Sequence, residues 1–267
     1  GYNNTAVGQG ALDANTEGFT NDAFGSGALG ANTTGDNNCA FGTAALNKNT
    51  TADNNTAVGR SALTENTTGS PNCAFGAFTL DANTTGAQNN AFGTYALTTQ
   101  TGANYNNAFG YNSMRDNSTG STNSAFGHDT LLLNTTGSSN TAVGGYALDA
   151  NTTGSNNTAL GVNALGSNST GGMNAAVGQG ALASNTTGNY NAAFGRSSLS
   201  DNTTADNNTA VGYAALNENT TASSNTGIGY YALKANTTGT RNVAVGAAAL
   251  DANTTASDNT AVGANAL

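Results

Sequence analysis

NTAVGQGALDANTEG fills residues 4–18, and NTAVGYAALNENTTA fills residues 208–222. The skeleton of the phrase survives while only certain letters change. The bulky residue before each Gly of the phrase runs Val7, Phe24, Phe41, Val58 and onward to Val262, always 17 residues apart, through 16 copies with no insertion or deletion. A period this strict makes the chain, residues 1–267, one repeat array before any single residue is interpreted.

Numbered from its first Asn, the repeat reads N-T-A-(V/F)-G-x-x-A-L-x-x-N-T-T-G-x-x. Position 1 is Asn in every copy, including Asn4, Asn21, Asn38, Asn55 and Asn72, and position 5 is always Gly. Position 3 is Ala except at Gly227, and position 9 is Leu except at Met114. Position 12 is Asn in 14 of 15 copies, among them Asn15, Asn32, Asn49 and Asn66, with Gln100 the exception. The remaining positions vary, and charge gathers there: 19 of the 21 charged residues lie at positions 6, 7, 10, 11, 16 or 17. All nine Tyr share those variable positions, whereas seven of nine Phe stand at position 4. On hydrophobicity alone this places Phe inside and Tyr outside.

Seventeen residues are too few for two packed helices and a turn, and Gly, Asn and Thr are poor helix-interior residues. Ala-Val and Ala-Leu pairs set between Gly and Asn-Thr turns fit short strands and tight corners. The expected fold is therefore all-β, a parallel β-solenoid of stacked coils in which each repeat position lies about 4.8 Å from its counterpart. Sixteen such coils make a rod about 75 Å long. Asn at position 1 in every copy and at position 12 in all but one predicts two amide ladders running from coil to coil. Gly at position 5 predicts a corner with positive φ or close backbone approach. Positions 4 and 9 are expected to form internal columns, with Phe75, Phe92, Phe109, Phe126, Leu97 and Leu131 at the core.

Only 8% of residues are charged and the net charge is −9. Six scattered basic residues give no stripe for phosphates, which argues against nucleic-acid binding. No apolar run approaches the length of a membrane-spanning helix, so no membrane insertion is expected. The chain begins and ends in mid-repeat without capping sequences, which fits a segment of a longer fibre. Strict register and the separation of Phe from Tyr argue against low-complexity disorder.

Catalytic chemistry finds little purchase. The single His, His128, occupies position 6 beside Asp129, and no other copy repeats the pair. A His-Asp dyad acts only with a positioned nucleophile, so a solvated corner residue is the better reading. Asp13, Asp81, Asp149 and Asp251 share position 10 but stand four copies or more apart, too far for one ion. No enzyme activity, metal or cofactor is therefore expected. Cys39 and Cys73 take position 2 two copies apart, beyond disulfide reach, and are expected as free, buried thiols.

Two features point toward binding. Exposed Tyr, including Tyr111, Tyr146, Tyr213, Tyr230 and Tyr231, suit contact with a cell-surface glycan or protein receptor. They are spread over four repeat positions and are expected as isolated surface aromatics. Rows of Thr at positions 13 and 14 give the alternative of an ice-binding solenoid.

The tandem NTAVGxxAL…NTTG motif, from Asn4 to Leu267, resembles repeats of phage tail fibres and bacterial surface fibres. Its N-T-A-V-G core is similar to the repeat phrase in the heads of YadA-type trimeric autotransporter adhesins. That resemblance implies a left-handed, homotrimeric roll in an extracellular fibre, on a virion or a cell. The expected function is a stiff spacer with adhesive surface loops, assembled with itself as a homotrimer or filament. Within the repeat, the small residue at position 3 and the uncharged run at positions 12 to 15 are expected to face neighbouring chains.

Overall fold

A computed structural model describes the whole chain, residues 1–267. Each repeat contributes one three-residue parallel strand at positions 2 to 4, and no helix is present. Contacts divide the chain into two compact units, Gly1–Thr136 and Gly137–Leu267. The first holds β1 (Thr5–Val7), β2 (Asp22–Phe24), β3 (Cys39–Phe41), β4 (Thr56–Val58), β5 (Cys73–Phe75), β6 (Asn90–Phe92), β7 (Asn107–Phe109) and β8 (Ser124–Phe126). The second holds β9 (Thr141–Val143), β10 (Thr158–Leu160), β11 (Ala175–Val177), β12 (Ala192–Phe194), β13 (Thr209–Val211), β14 (Thr226–Ile228), β15 (Val243–Val245) and β16 (Thr260–Val262). Within each unit neighbouring strands pair in chain order and in register, so that Phe92 lies opposite Phe109 and Thr209 opposite Thr226. The result is a β-solenoid with one repeat per coil, as the 17-residue period requires.

The core is narrower than hydrophobicity alone predicts. Repeat positions 1, 3, 8, 9, 12 and 15 are buried in the inner coils, which leaves Ala, Ala and Leu as the apolar filling. Leu97 and Leu131 are fully buried, as expected for position 9. The Phe column is not. Phe75 is 37% and Phe126 41% exposed, and Phe92 and Phe109 are half-buried. The alternation of a strand sends positions 3 and 4 to opposite faces, and it is Ala that turns inward. Gly227 shows why: a Cβ there would lie 3.2 Å from Leu216 Cγ and 3.1 Å from the Ala232 carbonyl. Position 3 therefore has room for a methyl at most, and the aromatic rings must take the outer face.

The Ala-Leu pair also departs from expectation, because it forms a turn instead of a second strand. Leu97 has φ 52° and Leu131 φ 48°, and residues at positions 7 and 17, Pro71 excepted, adopt the same left-handed region. This region is uncommon for residues other than Gly, Asn and Asp. Each coil accepts the cost at Leu because the turn delivers that side chain into the core, where burial contributes about 1.5–3 kcal/mol. The turn is closed by local bonds: Ala45 N–H donates to Gly42 O at 3.2 Å and Asn49 N–H to Leu46 O at 3.1 Å. Position 5 behaves as expected. Gly110 has φ 141°, and a Cβ on it would sit 2.2 Å from the Gly127 carbonyl oxygen.

Side chains complete the bonding between coils. At position 12, Asn49 Nδ2 donates to Asn32 Oδ1 and to Ala52 O, both at 2.9 Å. At position 1, Asn38 Oδ1 accepts from the backbone N–H of Asn55 at 3.0 Å, while Asn55 Nδ2 donates to Gly69 O at 3.1 Å. The position 15 carbonyl thus receives amides from both ladders, as Gly35 O does from Asn21 and Asn32. Both ladders are buried through the inner coils, and two features that the sequence reading placed elsewhere join them. Thr hydroxyls at position 13 donate to the next coil, Thr33 Oγ1 to Thr50 O at 3.0 Å, and Ser118 and Ser169 keep the bond where Thr is replaced. Short acceptors at position 16 take the preceding coil's N–H, as Asp53 Oδ1 does from Asp36 N–H at 2.7 Å.

Candidate interaction surfaces

With Ala, Leu and Asn turned inward, the rows that reach the surface include a sheet face, a corner and a Thr strip. The surface carries no pocket, and no group of three or more His, Cys, Asp or Glu side chains is placed to hold a metal. No helix is long and apolar enough to cross a membrane.

The sheet face consists of positions 2 and 4. In Gly1–Thr136 its rungs are mostly Phe, stacked with near-parallel rings: Phe75–Phe92 at 4.9 Å, Phe92–Phe109 at 4.7 Å and Phe109–Phe126 at 4.8 Å between centroids. In Gly137–Leu267 the rungs are mostly Val, with Leu160, Phe194 and Ile228 among them. Cys39 and Cys73 belong to this face. They are free, as expected, but half-buried on the outer side of β3 and β5 and not in the core. Partial burial raises both thiols above their ordinary pKa, and at Cys39 the Asp22 carboxylate adds to the rise.

The corner at positions 6 and 7 gathers aromatics that the sequence reading kept apart. Tyr95 stacks on Phe78 at 5.5 Å and meets Tyr111 edge-on at 6.2 Å, and Tyr111 stacks on His128 at 5.5 Å. The Arg60 guanidinium lies 5.3 Å above the Phe78 ring and extends the strip. In Gly137–Leu267, Tyr213, Tyr230 and Tyr231 form a second cluster. Tyr230 and Tyr231 are 4.0 Å apart, Tyr213 stands within 5.6 Å of both, and Lys234 lies over Tyr231 at 4.9 Å. These rings are clustered, not isolated. The left-handed turn at position 7 (φ 61° at Tyr95, 57° at Tyr231) carries its side chain onto the same corner as position 6. Tyr146 is exposed at position 7.

Charge is spent locally. Lys48 meets Glu65 at 2.6 Å, and Arg241 forms a two-pronged pair with Asp258 at 2.6 and 2.9 Å, which holds that carboxyl below its ordinary pKa. Arg115 and Lys234 also face carboxylates. His128 Nδ1 lies 3.2 Å from Asp129 Oδ2 on the half-exposed corner. The nearby Thr130 hydroxyl is committed to Gly127 O at 2.9 Å, which leaves it turned toward the backbone.

Of the positions expected to face a neighbouring chain, 3, 12 and 15 are instead turned into the coil, while position 14 stays exposed. The amide at position 12, the Gly or Ala at position 15 and the Ala at position 3 are buried in the coil itself, and the position 13 hydroxyl is used by the next coil. At positions 3, 12, 13 and 15 the exclusion of charge and bulk is therefore an intrachain requirement. No protein-family model matches the chain, and no curated protein matches it.

The residues that the sequence reading missed are the position 16 acceptors. A signal was available, since 12 of 15 copies carry Asp, Asn, Ser or Thr there. The presence of charge made the position read as merely solvated.

Proposed function

We propose that this chain is a segment of a homomeric extracellular fibre and serves as a stiff spacer. The observation that supports this best is the continuity of coil-to-coil bonding within each unit. Two buried amide ladders, a hydroxyl ladder and a parallel sheet all join one coil to the next. Bending such a stack stretches several buried hydrogen bonds at once, and leaving a buried polar group unpaired costs about 1–3 kcal/mol. The extracellular setting rests on the resemblance of the tandem motif to surface and tail-fibre repeats. Its aromatic corners are the surfaces offered to a glycan or protein receptor.

Ice binding is the weaker reading. Position 13 hydroxyls are turned to the next coil, so the NTTG segment presents one exposed Thr rank at position 14 and not two. Small-angle X-ray scattering tests the spacer reading. A stiff spacer gives a rod profile with a longest dimension at or beyond about 75 Å. A profile showing two units tumbling independently would sink it.

A further inference from the structure

We propose that the outward sheet face of positions 2 and 4 is the surface on which a second copy of this chain docks, sheet against sheet. This specifies the contact face of the homomeric fibre and rests on that reading for its setting. The first observation is chemical. The sheet face is open to solvent, yet Asp22 is its single charged residue among 32, on a chain of net charge −9. Every rung at position 4 is Val, Phe, Leu or Ile. Large apolar side chains held this openly, with Phe41 40% and Phe194 44% exposed, are a liability on an isolated chain.

Area gives the second argument. A whole aromatic side chain presents about 150–250 Å², so exposures of this size leave roughly 60–90 Å² on each Phe rung. Of the eight rungs per unit, the Val rungs and the half-buried Phe24, Phe92 and Phe109 give less than this each, so a unit presents up to about 500–600 Å², at the upper end of the largest patch on an ordinary monomer. Two such faces pressed together remove up to about 1,000–1,200 Å², which reaches the range of specific interfaces.

Geometry selects the occupant. In each unit the strands are parallel and in register, with like side chains stacked above one another. That is one half of the dry, interdigitated pairing of two sheets seen in steric zippers. A partner must match the rung spacing over many coils, and a second copy of this chain does so by construction. The net charge of −9 sits almost wholly on the variable positions and opposes contact between copies there, whereas this face carries one carboxylate.

Cys39 and Cys73 stand in the face and report on it. Sedimentation equilibrium of the full chain is combined with thiol labelling by a maleimide, and with Phe41→Asp/Phe92→Asp and Val211→Asp/Val245→Asp variants checked by circular dichroism. Each change points outward and leaves the core untouched. The wild type is expected at a multiple of 26.2 kDa with both thiols protected. Either folded variant is expected to associate at least ~100-fold more weakly, and the Phe variant to label rapidly at both thiols. Thr43→Asp, on the corner of the same coil as Phe41, is expected to change neither readout. Three results overturn the proposal: a wild type that is monomeric with reactive thiols at about 100 μM, a multimer that persists in both folded variants, or a monomer whose face shapes ice crystals. A monomer with a rigid rod profile removes this face and leaves the spacer reading standing. A chain that associates through the face yet bends freely does the reverse.

Discussion

Replacing Asn49 by Ala removes one rung of the position 12 ladder, and the structure shows what is lost. Asn49 Nδ2 donates to Asn32 Oδ1 and Ala52 O, and Asn49 Oδ1 accepts from Asn66 Nδ2, each at 2.9 Å. Ala52 O keeps a second donor, Asn38 Nδ2 at 2.8 Å, and Asn66 Nδ2 keeps Gly69 O at 3.0 Å. Asn32 Oδ1 is left buried without its donor. One fully orphaned acceptor, one half-satisfied amide and a small void give a cost of about 3–5 kcal/mol. Asn49→Asp should cost more, because it buries a charge and sets acceptor against acceptor at Asn32. Asn49→Gln should cost least. Gln100 already shows the longer amide in place, its Nε2 donating to Ala103 O at 3.0 Å and its Oε1 accepting from Asn106 Nδ2 at 2.8 Å. Repeat arrays need not unfold in one step, so urea unfolding followed by circular dichroism is paired with native-state hydrogen exchange. Exchange should quicken first in the coils on either side of Asn49. An Ala variant within about 0.5 kcal/mol of wild type, with unchanged local exchange, refutes the claim that the ladder holds the stack.

Leu97→Ala should destabilise by about 2–5 kcal/mol, whereas Phe109→Ala on the outer face should cost the unassociated chain about 1–2 kcal/mol, chiefly its stacking on Phe92 and Phe126; equal losses in urea titrations would restore Phe to the core. Gly110→Ala should cost at least about 2 kcal/mol, from strain at positive φ and collision with the Gly127 carbonyl, and a variant as heat-stable as wild type contradicts the coil spacing. Asp81 is pushed above the ordinary carboxylate pKa, mainly by burial, and its Oδ1 has no hydrogen-bond partner. Ionised Asp81 therefore weakens the fold above its folded pKa, and the penalty fades as pH falls through that value toward the unfolded one. Asp81→Asn should raise the melting temperature at pH 7 and lose that advantage in acid; the same gain at both pH values speaks against it.

The repeat, the parallel stacking, the two Asn ladders and the glycine corner can all be read from the amino-acid order. Each is a demand that stacking places on an identical position in every coil, so it appears as invariance at Asn38, Asn49 or Gly110. The position 13 and 16 bonds were written there too, but less legibly, because any short side chain with an acceptor or hydroxyl serves. Which side of a strand such as Asn-Ala-Phe faces inward is settled by the packing of the coil. Strand alternation separates Ala108 from Phe109 without choosing between them, and hydrophobicity favours the wrong one. The choice is made by space: Leu and two amides already fill the coil, and a methyl is all that fits beside them. The same holds for the aromatic corner, since Tyr95 and Tyr111 occupy different repeat positions and meet only because the chain turns left-handed at Tyr95. Invariance records what every coil must do; the direction of a side chain depends on the volume that the other coils leave.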